Sequence, residues 1–239
     1  MKLKQYLLAS AVCVVPFSAS AADLPVKAPY RPVAVAVPFT WTGFYVGGSA
    51  GFISQNSVTT ELDPFLPGSA SGDTFGVPGH GGLFGINAGY NYQMGAWVIG
   101  IEADIAASTL NNSTTNYNYF WGYNQSFTSK LSSLGTVRGR IGYAFDRALL
   151  YATGGFAYGH VENAFSMQSH PGFGGSTSGT QTGWTVGGGF EYAVTNNWTV
   201  RAEGLYVDLG TTTATAASTC RFAFKNTYTV GRLGLNYKF

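Results

Sequence analysis

Eight charged residues sit where they could act together: Glu102 and Asp104, Arg138 and Arg140, Arg201 and Glu203, with Glu191 and Arg232 standing singly. A spacing of two puts both members of a pair on one face of a β-strand. Four are acidic and four are basic, so the set can neutralise itself. Three kinds of chemistry are open to it. A packed ionic network would lock strands together, because a buried charge without a partner is costly. A water-filled path lined by the same groups would pass ions. Acid–base catalysis would need a carboxylate or histidine beside a nucleophile. For the last the usual templates fail: the chain has no His-Glu-x-x-His run and no Walker loop. The glycine-rich stretches GTVRGRIG and GGLFGINAG open no helix, so they are not nucleotide sites. His80, His160 and His170 show no triad spacing, and a haem or metal role for them competes with the plain reading of solvated histidines. The expectation is a chain that is not an enzyme, with no catalytic residue, no cofactor and no metal.

The elements that carry these charges alternate with period two. Trp97, Ile99, Ile101, Ala103 and Ile105 oppose Val98, Gly100, Glu102 and Asp104. Gly135, Val137, Gly139, Ile141 and Tyr143 oppose Thr136, Arg138, Arg140 and Gly142. Phe44, Val46, Gly48, Ala50 and Phe52 begin the series, and Leu233, Leu235, Tyr237 and Phe239 close it. The count predicts eight strands, each about 9–13 residues, longer than a typical soluble strand and matched to a tilted crossing of the hydrocarbon layer. Three connections read as tight, at Gln93 to Ala96, Phe145 to Ala148 and Val194 to Asn197. Four read as long polar loops, over 54–81, 107–129, 161–179 and 210–224. Short and long alternate, as in outer-membrane barrels with short periplasmic turns and longer outside loops. The fold class expected is all-β: an eight-stranded antiparallel up-and-down transmembrane β-barrel. Its apolar parity faces lipid and its polar parity fills the lumen. Tyr92, Trp97, Tyr143, Tyr192 and Trp198 flank the turn ends of their strands, as an aromatic girdle at one interface would.

Composition agrees. Charged residues make up 10% of the chain, against about 25% in ordinary soluble domains, while 33 glycines and 15% aromatics suit many strands in close backbone contact. MKLKQYLLASAVCVVPFSASAAD has the form of a secretory leader, with cleavage expected after Ala22. Residues 1–22 are thus expected to be removed, with Cys13 among them. Lys2 and Lys4 account for the formal charge of +2, so the remainder is neutral and unsuited to nucleic acid. Cys220 remains alone, so no internal disulfide forms. Residues 23–40 hold four prolines and read as an extended periplasmic segment, and 41–239 as the barrel domain.

Together TWTGFYVGG, LGTVRGRIGYAF, LYATGGFAYG and the ending VGRLGLNYKF resemble the small outer-membrane proteins of alphaproteobacteria, the RopB-type porin-family barrels with an OmpA-like β-barrel domain. The resemblance covers residues 40–239. It implies a barrel at the cell surface, in contact with outer-membrane lipids and lipopolysaccharide and tied to envelope integrity and host interaction. The alternating end, Leu233, Leu235, Tyr237 and Phe239, resembles the signal that the barrel-assembly machinery reads. Three roles remain open: a structural barrel with a charge-plugged lumen, a small porin, and a loop-mediated adhesin or haem-binding surface protein. For the third, NNSTTNYNYFWGYNQ is the loop whose Asn and aromatic content would suit external contacts.

Overall fold

The computed structural model describes residues 38–62, 74–118, 123–167, 174–216 and 220–239. The leader, its cleavage point at Ala22 and nearly all of the proline-rich segment lie outside the described residues. Eight strands account for most of what is described: β1 (Gly43–Glu61), β2 (Thr74–Met94), β3 (Trp97–Asn118), β4 (Tyr123–Phe145), β5 (Ala148–Met167), β6 (Gly174–Ala193), β7 (Trp198–Ala216) and β8 (Cys220–Lys238). Each pairs antiparallel with its sequence neighbours, and β1 pairs with β8, so the sheet closes. Closure leaves no edge, which lets a sheet stand in lipid without unsatisfied backbone groups.

The tight turns are two-residue hairpins at Gly95–Ala96 and Asp146–Arg147, and a four-residue connection at 194–197. Gly95 (φ 61°) and Asp146 (φ 55°) take the left-handed conformation that the first central residue of a II′ turn needs. Aspartate tolerates it because its short polar side chain can bond locally.

The strands are longer than the alternation predicted, at 19 to 23 residues. Much of the four expected loops is strand: 54–61 and 74–81 belong to β1 and β2, and 107–118 and 123–129 to β3 and β4. The asparagine-rich stretch read as an adhesive loop is therefore mainly two paired strands. The sequence hid this because the outward parity turns polar there, which removes the amphipathic signal without removing backbone pairing. Phe52, Phe84, Phe156 and Trp184 face outward at the upper limit of the apolar band. Loopward of them the outward positions include Ser54, His80, Asn111, Thr128, Ser178 and Thr180, with Val58 an apolar exception. At about 3.3 Å per residue and a tilt near 40°, twenty residues climb roughly 50 Å, against about 25–30 Å of hydrocarbon. The barrel thus continues some 20 Å past the apolar band as a polar collar.

The register shifts on three strand pairs at this level, between Ala107 and Leu110, Leu131 and Ser133, and Asp208 and Thr211. Bulges bend and twist a strand, so they accommodate the passage from band to collar. At the third, Gly210 (φ 76°) donates its N–H to Asp208 Oδ1 at 2.8 Å.

Candidate functional site

The inward parity of the barrel is stacked in layers. Nearest the turns lies an apolar floor of Trp41, Val98, Ala144, Leu149, Tyr151 and Ala193. Trp41 comes from the segment before β1. Its backbone N–H donates to Gln93 Oε1 (2.7 Å) and its indole Nε1 to the Asp146 carbonyl (3.2 Å). Phe39 packs edge-on against it at 5.0 Å, beneath Lys238 and Arg147. Lys238 Nζ in turn donates to the Thr40 carbonyl at 2.5 Å. This stretch stops the turn end of the barrel.

Above the floor all eight charged residues singled out in the sequence meet in one layer. Arg138 is its hub: Nη2 donates to Glu102 Oε1 (2.6 Å) and Asp104 Oδ2 (3.0 Å), Nη1 to Glu203 Oε1, and Nε to Thr136 Oγ1 (2.9 Å). Arg232 bonds Asp104 Oδ1 at 3.1 Å and Glu203 Oε2 at 3.1 Å. Arg201 reaches Glu102 Oε2 at 2.5 Å. Arg140 bonds Glu191 Oε2 at 2.8 Å and stacks 4.0 Å from the Tyr151 ring centre. Glu102–Arg138 is a neighbour pair across β3 and β4. The Arg138–Glu203, Arg232–Asp104 and Arg201–Glu102 pairs instead join strands that are not hydrogen-bonded to each other, so they cross the lumen. All eight are buried. Four guanidinium groups and four carboxylates at these distances are charge-balanced, which is the condition for burying them at all.

Uncharged side chains complete the layer. Tyr45 donates its hydroxyl to Glu102 Oε2 (2.8 Å) and accepts from Arg140 (3.1 Å). Thr136 donates to Asp104 (2.5 Å). Thr199 and Asn236 both donate to Glu191 Oε1, at 2.6 and 2.9 Å. The charge pattern alone missed these four. Tyr45 carried a signal, as the one aromatic residue on the polar parity of GFYVGGS. Room for the long side chains comes from inward glycines: a Cβ on Gly234 would lie 2.9 Å from Arg201 Nε.

Loopward of the charges the lumen is apolar again, which the expectation of a polar interior did not include. Ile53, Leu83, Leu110, Leu131, Leu134, Val161, Leu205, Val207 and Val230 form a belt with Tyr228. Above it lies a ring of amides and hydroxyls that includes Gln55, Ser129 and Asn163.

The wall residues fall as follows. Trp97 meets Tyr143 edge-on at 5.4 Å, and Trp198 meets Tyr237 at 5.1 Å, both on the outer surface at the turn end. Tyr92 and Tyr192 are exposed at the same rim. Leu233, Leu235 and Phe239 face outward, and the Phe239 N–H donates to the Phe44 carbonyl at 3.0 Å. His80 and His160 stand on β2 and β5, which are not neighbours, and His170 lies outside the described residues. Among the described residues no three His, Cys, Asp or Glu side chains gather as a metal centre would require.

The outer membrane protein beta-barrel domain matches residues 9–239. The chain belongs to that family. The 31 kDa outer-membrane immunogenic protein of Brucella melitensis is 36% identical over 99% of this chain and 100% of its own length. The 22 kDa outer membrane protein of Rhizobium leguminosarum is 34% identical over 76% of this chain and 68% of that protein. Among solved structures, the outer membrane protein OprG from Pseudomonas aeruginosa aligns over 85% of this chain and 99% of its own, with a TM-score of 0.56. At 15% identity that likeness speaks for the fold alone. This outer-membrane barrel therefore has its turn end in the periplasm and its collar outside the cell.

Proposed function

We propose that this protein is a structural outer-membrane barrel whose lumen does not conduct, and which serves the cell as a rigid post carrying contact surface beyond the lipid. The observation behind this reading is the ionic layer that crosses the lumen, held between an apolar floor and an apolar belt. A small porin needs a continuous wetted path, and side chains are enough to fill the interior of an eight-stranded barrel. Here the fixed charges are spent on one another. We assign no catalytic role. The collar and its loops are the surface offered to lipopolysaccharide and to ligands on other cells. The Brucella relative's name, an immunogenic protein, supports exposure to the outside. The alternating end at Phe239 is read as the signal for the barrel-assembly machinery.

The test is single-channel recording of the refolded protein in a planar bilayer, with folding checked by faster gel migration of unheated samples. The expected outcome is no stable conductance. Reproducible charge-selective steps would replace this reading with that of a small porin lined by Glu102 and Arg138.

A further inference from the structure

Closure of the sheet holds through the lipid and lapses above it. β6 pairs with β7 only from Ala193 opposite Thr199 to Trp184 opposite Asp208, and β2 with β3 only from Met94 opposite Trp97 to Leu83 opposite Ser108. All other neighbouring strands stay paired into the collar. The collar is therefore two four-stranded sheets, β7–β8–β1–β2 and β3–β4–β5–β6, with a seam on either side. Each seam starts at a bulge, which bends a strand and ends its pairing. On β7, Gly210 turns its N–H onto Asp208 Oδ1 (2.8 Å) rather than onto β6. On β3 the register shift lies between Ala107 and Leu110.

The two seams differ. That between β2 and β3 is covered: Gly82 N–H donates to Thr109 Oγ1 (2.8 Å), a Cβ on Gly81 would lie 2.7 Å from the Leu110 backbone, and the Asn112 amide fills the space beside Gly79. Pro78, on the same alternation as Gly82, offers that seam no N–H. The β6 edge has no such cover. Ala193 donates its N–H to the Arg147 carbonyl on the β5 side (2.8 Å), and Val194 to the Trp198 carbonyl on the β7 side (2.9 Å). The β5–β6 register is unbroken, so the even-numbered residues of β6 address β7. Gly174, Ser176, Ser178, Thr180 and Thr182 thus aim N–H and C=O into the seam, and among the described residues no backbone group meets them. Every residue of 174–183 is exposed or half-buried, the inward Gly175, Thr177, Gly179 and Gln181 included. At collar level on β1 and β5 the inward Gln55, Ser57, Thr59, Val161 and Asn163 are buried. A Cβ on Gly179 would touch nothing. Neither 174–183 nor 209–216 of β7 carries a charged residue.

We propose that the free β6 edge docks an extended, uncharged peptide segment of a protein outside the cell, which adds to the β3–β6 sheet as one more strand. An unpaired edge is a template for another strand, and its main-chain groups supply the affinity. Residues 174–183 present such groups along roughly 33 Å. The Ser and Thr side chains on the outward parity suit hydroxyl-bearing and β-branched neighbours, and they offer a charged one no partner. Barrel geometry excludes a second copy in the same membrane. Facing walls of two like-handed barrels, each with strands tilted near 40°, cross at about 80° and cannot form a ladder. This site deepens the collar's role as contact surface and does not rest on the sealed lumen, so peptide capture by a conducting barrel would still support it.

The test titrates the full refolded protein in lipid nanodiscs into a fluorescein-labelled, end-capped decapeptide of Thr, Ser and Val, read by anisotropy. The control peptide has the same length with two central prolines. Saturable binding in the micromolar to sub-millimolar range is expected, with the proline peptide at least about tenfold weaker. Amide exchange should locate the contact: the N–H groups of Ser176, Ser178, Thr180 and Thr182 exchange fast in the free protein and slow down when the peptide saturates. Thr180→Pro removes one seam-facing N–H and leaves the β5 ladder whole. It should keep the heat-modifiable gel shift and weaken binding at least about tenfold, whereas Thr180→Ala should bind within about twofold of the parent, because the backbone carries the contact. Absence of saturable binding, equal binding of the proline peptide, or full binding by Thr180→Pro would each overturn the proposal. Slow exchange at Thr180 and Thr182 before any peptide is added would overturn it too, by showing the edge already covered by the chain itself or by a second copy.

Discussion

The two polar layers of the lumen answer the same problem in opposite ways. The membrane-level layer uses full charges and satisfies nearly every carboxylate oxygen, tying β3, β4, β6, β7 and β8 together. The collar-level ring uses only amides and hydroxyls and leaves several atoms without partners. In the first, the carboxylate oxygens are met and the gaps fall on donors, at Arg140 Nε and at Arg201 Nε and Nη2. In the second, an unmet neutral atom costs less than an unmet charge would. The contrast teaches that one barrel can bury full, mutually paired charges where it crosses lipid and only neutral polar groups where it leaves it.

The largest effect should come from breaking the charged layer. Arg138→Ala leaves the layer one positive charge short, takes a partner from each of Glu102, Asp104 and Glu203, and should cost about 3–5 kcal/mol, seen as a lower urea midpoint in lipid vesicles. Next comes the apolar belt between the layers. Leu131→Ala opens a cavity and should cost about 2–4 kcal/mol in the same assay. The comparison is sharpened by two double-mutant cycles. The Arg138–Glu203 pair should show a coupling above about 1.5 kcal/mol, and the Gln55–Ser129 pair one near 0.5 kcal/mol. Equal couplings would dissolve the distinction between the layers. The smallest effect lies away from both: Asp146→Gly relieves a left-handed aspartate and should raise stability by no more than about 0.5 kcal/mol, a gain measurable only with closely matched unfolding curves.

The membrane-level half was readable from the chain because period-two alternation is strong there. Glu102, Asp104, Arg138 and Arg140 stand out on one parity against Ile99, Ile101, Val137 and Ile141 on the other. Which charge meets which was not readable, since the pairs that cross the lumen depend on barrel closure and stagger. The collar escaped for a different reason. From Asn111 and Thr128 loopward both parities are largely polar, so the two faces of the sheet look alike in sequence and the strands read as loops. The belt between them was hidden because Leu131, Leu134 and Val161 sit on the inward face, where apolar residues look like lapses in a polar run.

The stopper at the periplasmic mouth has a consequence for assembly. Trp41 lies among Val98 of β3, Ala144 of β4, Leu149 of β5 and Ala193 of β6, and it is 1% exposed. No two adjacent strands build that pocket, so it exists only once the middle of the barrel has come together. The residue that enters the barrel domain first in sequence is therefore seated late in time. Its indole, shielded from aqueous quenchers where the exposed Trp97 and Trp198 are not, is a built-in reporter of the moment β3 to β6 come together around it.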